Sequence, residues 1–332
     1  MSCEMNEEIR FALDAVRQAC GIARKVQAEI KGEKLTKTDQ SPVTVADFAV
    51  QALIGKMLLE KFPSDLLVAE ENAAPLREVT GQALLAQVLD FVKDVVPDAT
   101  EEKICGWIDH GNGSPPADRF WTLDPIDGTK GFIRGDQYVV AIALIEKGVV
   151  TAGVLGCPNL NEHNEQDLTG KGTMAFALRG QAAWRTDLDD VALKQVRRMT
   201  VSPCSDTSQG RVLRSVEKAH SSVSRTDLLR QKLNITQPPV CMDSQAKHVV
   251  LASGGAEMFF YLLPEDRPQI RMKIWDAAPG SILTEEAGGR VTDINGDPLQ
   301  FNLAKTLVKN PGLLITNGRL HEAILEAFRQ IL

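Results

Sequence analysis

The sequence contains no apolar run long enough to span a membrane and no G-x-x-x-x-G-K-[ST] phosphate-binding loop. The first absence argues against a membrane-spanning helix, and the second leaves a P-loop kinase without its usual signature. The six cysteines are widely spaced and form no C-x-x-C pair, so a disulfide framework is not expected. With 43% hydrophobic residues among 332, the chain has apolar material for one large domain or two closely packed ones.

Positive charge is in the minority, since 37 Lys and Arg stand against 44 Asp and Glu for a net charge of −7. This balance disfavours binding to a nucleic acid polymer, so we expect any anionic ligand to be small and attracted locally. Bound divalent cations would provide that attraction by reversing the sign of the local potential. The N-terminal segment carries no membrane or secretory signal, which predicts a cytoplasmic protein, or an organellar one if a transit peptide has been removed.

The most informative segment is WTLDPIDGTKGF, residues 121–132, in which two carboxylates are followed by two glycines. Apolar residues before Asp124 predict a buried strand that ends there, because Pro125 prevents a regular ladder from continuing. Gly128 and Gly131 would let backbone amides approach a ligand closely. Carboxylates beside such amides suit Mg²⁺ shared with phosphate oxygens, so the segment predicts a metal-assisted phosphate site. The alternative is an ordinary strand-to-turn segment, because Asp and Gly favour turns.

Three further acidic sites end apolar segments in the same way. They are Asp47 at the start of a helix-like run, Glu70-Glu71 after a strand-like segment, and Asp276 after an isoleucine and a tryptophan. A lone carboxylate near a core is costly without a partner or a metal, so a convergence of acids argues for cations. Two alternatives remain. Asp276 by itself would be the N-cap of a helix beginning at Ala277, and Glu71 would either support Glu70 or face solvent.

Together these motifs resemble the lithium-sensitive, magnesium-dependent phosphomonoesterases of the inositol monophosphatase superfamily. The D-P-I-D-G-T form of residues 124–129 is specific to them, and the resemblance covers nearly the whole chain. Residues 216–222, VEKAHSS, and residues 243–247, DSQAK, resemble the segments with which the 3′(2′),5′-bisphosphate nucleotidase branch grips an adenosine phosphate. The resemblance implies an α/β protein, a layered αβαβα sandwich with an α+β N-terminal half, residues 1–156, and an α/β C-terminal half, residues 157–332.

The resemblance also implies a role for each motif residue. The implied ligands of two or three Mg²⁺ ions are the carboxylates of Glu70, Asp124, Asp127 and Asp276 and the carbonyl of Ile126. Asp47 and the hydroxyl of Thr129 would orient and deprotonate the attacking water, while the amides of Gly128 and Thr129 would hold the scissile phosphate. Metal ions about 4 Å apart can activate water and stabilise the leaving oxygen. In isolation, Thr129 would equally be a helix cap.

Three residues are implied to bind the substrate, because a nucleotide with two phosphates needs hydrogen-bond donors far from the phosphate that reacts. They are His220, Ser244 and Lys247. Outside this context, His220 would be an incidental surface histidine and Lys247 a solvated helix lysine. The chain departs from the nucleotidase pattern at Leu262, where those enzymes usually place an arginine. An anion contact is therefore missing unless Arg267 or Arg271 replaces it.

The implied activity is Mg²⁺-dependent hydrolysis of adenosine 3′,5′-bisphosphate to AMP and phosphate, with the sulfated analogue as a second substrate and a link to sulfate assimilation. The alternative enzyme is an inositol polyphosphate 1-phosphatase, since the metal motif is shared and only the substrate pocket distinguishes the two. A catalytically silent nucleotide sensor would require the loss of an essential acid, and none is missing. Monomer and homodimer both remain open.

Apolar periodicity predicts the main elements along the chain. Helices are predicted over residues 9–23, 47–59, 222–233, 244–253 and 282–287. Hairpins are predicted over residues 138–155 and 173–184. The last of these helices is expected to end at Gly288-Gly289, where glycine supplies a positive φ. A change of domain is predicted near Cys157.

Overall fold

The computed structural model describes residues 5–31, 42–216, 223–263 and 269–331. His220 and Arg267 lie outside these ranges. Within the described ranges the α-helices are α1 Glu7–Lys31, α2 Pro42–Lys61, α3 Ala74–Arg77, α4 Gln82–Lys93, α5 Glu101–Asp109, α6 Thr129–Arg134, α7 Val223–Lys232, α8 Ala246–Ala252, α9 Ala278–Glu286 and α10 His321–Ile331. None of them combines the length and the apolar character that crossing a bilayer requires.

The strands form two sheets. In chain order the strands are β1 Leu66–Ala69, β2 Arg119–Asp127, β3 Val139–Glu146, β4 Val149–Cys157, β5 Thr173–Leu178, β6 Ala182–Asp187, β7 Arg197–Arg198, β8 Val212–Arg214, β9 Val240–Cys241, β10 Met258–Leu262, β11 Arg290–Thr292 and β12 Gly312–Thr316. The larger sheet has the order β1-β2-β3-β4-β5-β6-β7, and the smaller has the order β11-β12-β10-β8-β9. Strands β3 and β4 form the first predicted hairpin and β5 and β6 the second, so both are confirmed.

Both faces of the larger sheet are buried, because alternate residues of a strand point to opposite sides. On β3, Val140 and Ile142 join the core formed with α1 and α2, whereas Ala141 and Ala143 join the core formed with α8 and α9. The smaller sheet covers the other side of the second core, and a third core joins its outer face to α7 and α10. The layers therefore alternate as helix, sheet, helix, sheet, helix, which confirms the predicted αβαβα sandwich.

The larger sheet continues beyond Cys157, since β5, β6 and β7 extend it after β4. The smaller sheet is built only from later strands, beginning with β8. The metal-site motif on β2 therefore belongs to the larger sheet. The predicted substrate residues near α8 belong to the helix layer between the two sheets. The division into residues 1–156 and 157–332 stays a prediction.

The prediction that the buried strand before Asp124 ends at that residue is wrong, because β2 runs to Asp127. Its ladder with β3 is nevertheless irregular between Asp124 and Asp127, where Pro125 supplies no N–H donor. Pairing resumes when Asp127 meets Val139. The predicted end of the helix before Gly288 is confirmed, since Gly288 has φ of 94°.

Candidate active site

Two parallel strands bring Glu70 and Asp124 to the same edge of the larger sheet. Strands β1 and β2 pair in parallel, with Ala69 opposite Leu123. Because each acid directly follows one of these paired residues, the two carboxyl groups come close enough to interact by a hydrogen bond. Asp124 is only 4% exposed, while Glu70 keeps an exposed side chain whose carboxyl end lies against the other acids.

The turn after β2 supplies the remaining predicted backbone groups. Gly128 has φ of 91°, and a Cβ atom there would lie 2.8 Å from Cβ of Ser244, so both conformation and space require glycine. Helix α6 begins at Thr129, whose hydroxyl lies 3.5 Å from the carbonyl oxygen of Ile126. The N-cap is Gly128. The alternative that Thr129 is only a cap is therefore wrong, and its catalytic role stays a prediction.

Asp47 reaches the same edge from α2, where it is 6% exposed. One turn later, the buried Gln51 donates from Nε2 to the carbonyl of Glu71 at 2.6 Å and accepts from its amide at 3.0 Å. These bonds fix the segment after β1 against α2, so that Asp47 lies near Glu70 and Glu71. Burial raises the pKa of Glu71 to about 7, with Glu70 adding to the effect, which disfavours the alternative that Glu71 faces solvent. Sequence reasoning missed Gln51.

Asp276 lies in the loop before α9. The N-cap of α9 is Ala277, and it makes no side-chain cap bond, so the alternative that Asp276 is the N-cap is wrong. Instead, Oδ2 of Asp276 accepts a long hydrogen bond of 3.4 Å from the amide of Lys273. The side chain is half-buried and borders the same cleft as Asp127.

The five acids Asp47, Glu70, Asp124, Asp127 and Asp276 are termed the acidic cluster. Burial raises the pKa of Asp124 well above its usual range, and the other four carboxylates raise it further. Burial also raises the pKa of Asp276 to about 8, with Asp127 and Glu70 adding to it. Burial likewise raises the pKa of Asp47, and Glu71 and Glu70 raise it further. The mutual effects show that these carboxyl groups share one small volume.

The donors of the acidic cluster fit a hard divalent cation such as Mg²⁺. Oδ1 of Asp124 is buried without a hydrogen-bond partner among the described residues, and such an oxygen is costly unless a proton or a cation compensates it. A cation would also offset the repulsion that raises these pKa values. Across the described ranges, no three His, Cys, Asp or Glu side chains already stand in ligating positions. The argument for a cation therefore rests on the type and charge of the available oxygen atoms, and not on a preformed coordination geometry.

Gln245 connects β2 with the loop before α9 and with α9 itself. Its amide donates to Oδ2 of Asp127 at 2.5 Å. Its Nε2 donates to the carbonyl of Trp275 at 3.0 Å, and its Oε1 accepts from the amide of Gly280 at 3.0 Å. One buried residue thus fixes a carboxylate on β2, the loop that bears Asp276, and α9. The DSQAK motif contains Gln245, but sequence reasoning gave it no role.

A cleft of about 460 Å³ opens beside Asp127 and Asp276. Its volume is within the range of small-molecule sites. On one side it is lined by the turn at Gly128 and Thr129. The lining residues that we term the C-terminal wall are Arg214, Ser244, Lys247 and Phe259.

Ser244 lies in the wall of the cleft, as predicted. It is 8% exposed and adopts a left-handed backbone conformation with φ of 62°. Its hydroxyl donates to the carbonyl of Asp243 at 2.6 Å and accepts from the amide of Ala246 at 3.3 Å. These local bonds hold the start of α8 against Gly128. The assignment of Ser244 to substrate binding stays a prediction.

Lys247 also lies in the wall, and it is 7% exposed. Its ammonium group donates to the carbonyl of Met242 at 3.3 Å and lies 5.1 Å from the centroid of the Phe259 ring. Burial lowers the pKa of Lys247, while Asp127 and Asp243 oppose that effect. The alternative of a solvated helix lysine is therefore wrong. Binding of substrate by this buried cation stays a prediction.

The remaining substrate residues do not complete the wall. His220 and Arg267 lie outside the described residues. Leu262 is 1% exposed and packs in the core between the smaller sheet and helices α7 and α10, so it offers the cleft no polar contact. Arg271 is half-buried, and its guanidinium donates to the carbonyl of Ile270 at 2.9 Å.

A family model for inositol monophosphatases matches residues 4–332. The chain belongs to the inositol monophosphatase family. The 3′(2′),5′-bisphosphate nucleotidase of Schizosaccharomyces pombe is 37% identical over 340 residues, covering 96% of this chain and 94% of the relative. The 3′(2′),5′-bisphosphate nucleotidase of Oryza sativa is 36% identical over 338 residues, covering 96% and 93%. Membership of the inositol monophosphatase family implies metal-dependent catalysis, and the resemblance inferred from the motifs is confirmed.

Solved structures of other proteins share this fold. The Thermotoga maritima IMPase superposes with a TM-score of 0.61 at 19% identity, covering 98% of each chain. The extragenic suppressor protein SuhB of Bartonella henselae superposes with a TM-score of 0.64 at 17% identity, covering 98% of this chain and 100% of that one. At these identities the solved structures establish the fold alone, which agrees with the predicted layered architecture.

Proposed function

We propose that the protein is a Mg²⁺-dependent phosphomonoesterase that hydrolyses adenosine 3′,5′-bisphosphate to AMP and phosphate. The observation that carries the proposal is the acidic cluster beside the cleft, in which Asp124 has a buried oxygen with no partner in the described ranges. Relatives of nearly the same length from a fungus and a plant are named 3′(2′),5′-bisphosphate nucleotidases, which supports this substrate class.

The metal is proposed to bind within the acidic cluster. The ligands would be the carboxylates of Glu70, Asp124, Asp127 and Asp276 and the carbonyl of Ile126. Two or three Mg²⁺ ions bound there would neutralise charge on the phosphoryl oxygens and lower the pKa of a water molecule. Gln245 would keep Asp127 in place for this role, because its amide already donates to that carboxylate.

The chain itself would position the water and the phosphate. Asp47 would accept a proton from the attacking water, because its carboxyl group lies beside Glu70 and Glu71 at the acidic cluster. The hydroxyl of Thr129 would orient that water, and the amides of Gly128 and Thr129 would donate to the phosphate. The water oxygen bonds to phosphorus as the bond from phosphorus to the 3′-oxygen breaks, and the leaving oxygen takes a proton from solvent.

The C-terminal wall suits a nucleotide. Phe259 lines the cleft, where its ring would stack on a base, and Lys247 and Ser244 supply polar groups to the same lining. His220 is proposed as a further substrate-binding residue. The sulfated analogue of the bisphosphate would be a second substrate, since it carries the same 3′-phosphate. An inositol polyphosphate 1-phosphatase is not favoured, because the near full-length relatives carry nucleotidase names.

The test is phosphate release from adenosine 3′,5′-bisphosphate and inositol 1,4-bisphosphate side by side, with Mg²⁺ and with EDTA. We expect magnesium-dependent release from the nucleotide and little from the inositol compound. Asp127→Asn should abolish release without unfolding the protein, as checked by circular dichroism. Preference for the inositol compound would contradict the proposed substrate, and release that EDTA does not suppress would contradict the metal mechanism.

A further inference from the structure

Asp243 lies where helix α6 meets the C-terminal wall. It precedes Ser244, lines the cleft and is 9% exposed. Helix α6, which begins directly after the turn at Gly128, packs against it, since a Cβ atom on Gly131 would lie 3.5 Å from Cβ of Asp243. A carboxylate in such a position is costly unless its oxygens have partners.

The two oxygens of the Asp243 carboxylate bind different segments. Oδ2 accepts from the guanidinium of Arg134, the last residue of α6. Oδ1 accepts from the amide of Val216 at 3.1 Å. Val216 follows β8 of the smaller sheet, whereas α6 follows β2 of the larger sheet. One carboxylate therefore connects segments that follow strands of different sheets.

Arg134 also makes a local ion pair, which provides a comparison. Its Nε donates to Oδ2 of Asp136 at 2.7 Å, and the amide of Asp136 donates to the carbonyl of Gly131 at 2.7 Å. These bonds stay within α6 and the turn that follows it, so they do not determine where α6 lies relative to the wall. The bond from Arg134 to Asp243 leaves this segment and joins it to the start of α8.

Helix α6 depends on such contacts for its orientation. It has six residues, and a helix this short gains most of its stability from packing rather than from its own hydrogen bonds. On its core side, Nε2 of the buried Gln27 donates to the carbonyl of Phe132 at 2.9 Å, and the rings of Phe132 and Tyr138 meet edge to face at 4.8 Å. Asp243 supplies the contact towards the cleft.

The position of α6 matters because the amides of Gly128 and Thr129, at its start, are proposed to hold the scissile phosphate. A misplacement of about 1 Å can lower a catalytic rate about 100-fold. A charge-assisted hydrogen bond is about twice as strong as a neutral one, so an ion pair suits the task of holding this helix.

We propose that Asp243 is a positioning residue that holds α6, and with it the amides of Gly128 and Thr129, at a fixed distance from the C-terminal wall. This inference rests on the proposed function, because the position of these amides affects the reaction only if a phosphate binds to them. Asp243 itself does not bind the phosphate, since its negative charge repels that group and its oxygens bind Arg134 and Val216.

The experiment compares Asp243→Asn, Arg134→Met and the double variant with the unaltered protein. The asparagine can keep the oxygen that accepts from Val216, but it removes the charge that binds Arg134. For each single variant, kcat on adenosine 3′,5′-bisphosphate at saturating Mg²⁺ should fall about 10- to 100-fold, while KM rises less than about fivefold. The double variant should lose no more than the larger single loss, because both changes remove the same link. Arg134→Lys should recover part of the loss, because it keeps the charge.

Asp136→Asn is the matched control, because it removes the other carboxylate that Arg134 binds and leaves the link to Asp243 in place. Its kcat should change less than about twofold, as a partly exposed local pair contributes little. An equal loss in Asp136→Asn, or single losses that multiply in the double variant, would overturn the role of Asp243. Lower stability in Asp243→Asn with unchanged kcat would also overturn it, and would mean that the ion pair only supports the fold.

A binding measurement separates failure of this inference from failure of the proposed function. Titration calorimetry with inorganic phosphate in MgCl₂ should show about three- to fivefold weaker binding to Asp243→Asn and Arg134→Met, and no change in Asp136→Asn. If the unaltered protein cleaves no nucleotide, the proposed function fails, and this titration still tests Asp243. Equal phosphate affinity in all variants, or no phosphate binding by the unaltered protein, would overturn the positioning role.

Discussion

The two sides of the cleft satisfy their polar atoms in different ways. In the acidic cluster, carboxylates raise one another's pKa, and Asp124 has a buried oxygen without a partner among the described residues. In the C-terminal wall, Lys247 already has a carbonyl and an aromatic ring as partners, and Ser244 is bonded to its own backbone. The comparison teaches that one side needs protons or a cation to offset its charges, whereas the other has partners for its polar groups within the protein.

Among the changes that test this comparison, removal of one carboxylate should have the largest effect on activity. Asp127→Asn keeps the volume of the side chain but removes a charge that the metal would require, so we expect kcat to fall by at least about 100-fold. The measurement is steady-state phosphate release from adenosine 3′,5′-bisphosphate at saturating Mg²⁺. Asp189→Asn, an exposed residue with 60% side-chain exposure, is the matched control. A loss of less than about threefold in Asp127→Asn would show that this carboxylate is not part of the metal site.

The stability of the acidic side should depend on pH and on Mg²⁺. Burial and neighbouring acids raise the folded-state pKa of Asp276 to about 8, so the folded protein holds this proton more tightly than the unfolded chain does. The resulting stabilisation is fully present below the ordinary pKa of an aspartate. That contribution is lost as the pH rises through the folded-state pKa, and Glu71, whose pKa is raised to about 7, acts in the same direction. The Tm of EDTA-treated protein should therefore fall between about pH 6 and about pH 8.5.

Mg²⁺ should reverse this loss, because it compensates the ionised carboxylates and binds only the folded site. We expect the Tm increase on adding MgCl₂ to be larger at about pH 8.5 than at about pH 6. Asp276→Asn should reduce both the pH dependence without metal and the increase with metal. A Mg²⁺ effect that is equal at both pH values would argue against a cluster of protonated acids at this site.

Loss of the hydrogen bonds that connect the two sides of the cleft should have an effect of intermediate size on activity. Gln245→Ala removes both side-chain bonds that hold the Asp276 loop and α9, so we expect about a tenfold lower kcat and about 1–3 kcal/mol less stability. The readouts are steady-state kinetics and urea unfolding. Gln209→Ala, on the exposed surface, controls for the loss of an amide. Unchanged kcat with reduced stability would mean that Gln245 only supports the fold.

A substitution in the C-terminal wall should have the smallest effect on activity. Phe259→Leu keeps an apolar side chain but removes the aromatic face, so we expect a three- to tenfold higher KM for the nucleotide, as base stacking contributes about 1–3 kcal/mol. Phe260→Leu is the matched control, because Phe260 is 6% exposed and belongs to the core on the opposite face of β10. It should lower stability with little change in KM. Equal effects on KM in the two variants would argue against stacking on Phe259.

Sequence reasoning predicted the parts of the site that follow from strand ends. Asp47, Glu70, Asp124 and Asp276 were predicted to converge because each of them ends an apolar segment, where a lone carboxylate near a core is costly. The family resemblance added the roles of these acids, as implied Mg²⁺ ligands for Glu70, Asp124 and Asp276 and as the implied base for Asp47. The layered fold was likewise predicted from hairpins and amphipathic helices together with that resemblance.

What sequence reasoning missed depends on contacts between distant segments. Gln51 and Gln245 each use both ends of an amide to fix backbone from other elements, and a glutamine in a helix carries no sign of this. The end of β2 was placed too early because Pro125 falls in an irregular part of the ladder, where a missing N–H is tolerated.

The most direct test of a metal-dependent acidic side facing a preformed nucleotide wall is a crystal structure with Mn²⁺ and adenosine 5′-monophosphate. Anomalous scattering identifies the Mn²⁺ ions without reference to any expected coordination. The account predicts anomalous peaks among Glu70, Asp124, Asp127 and Asp276, with the adenine against Phe259. Peaks elsewhere, or a nucleotide bound away from the C-terminal wall, would contradict it.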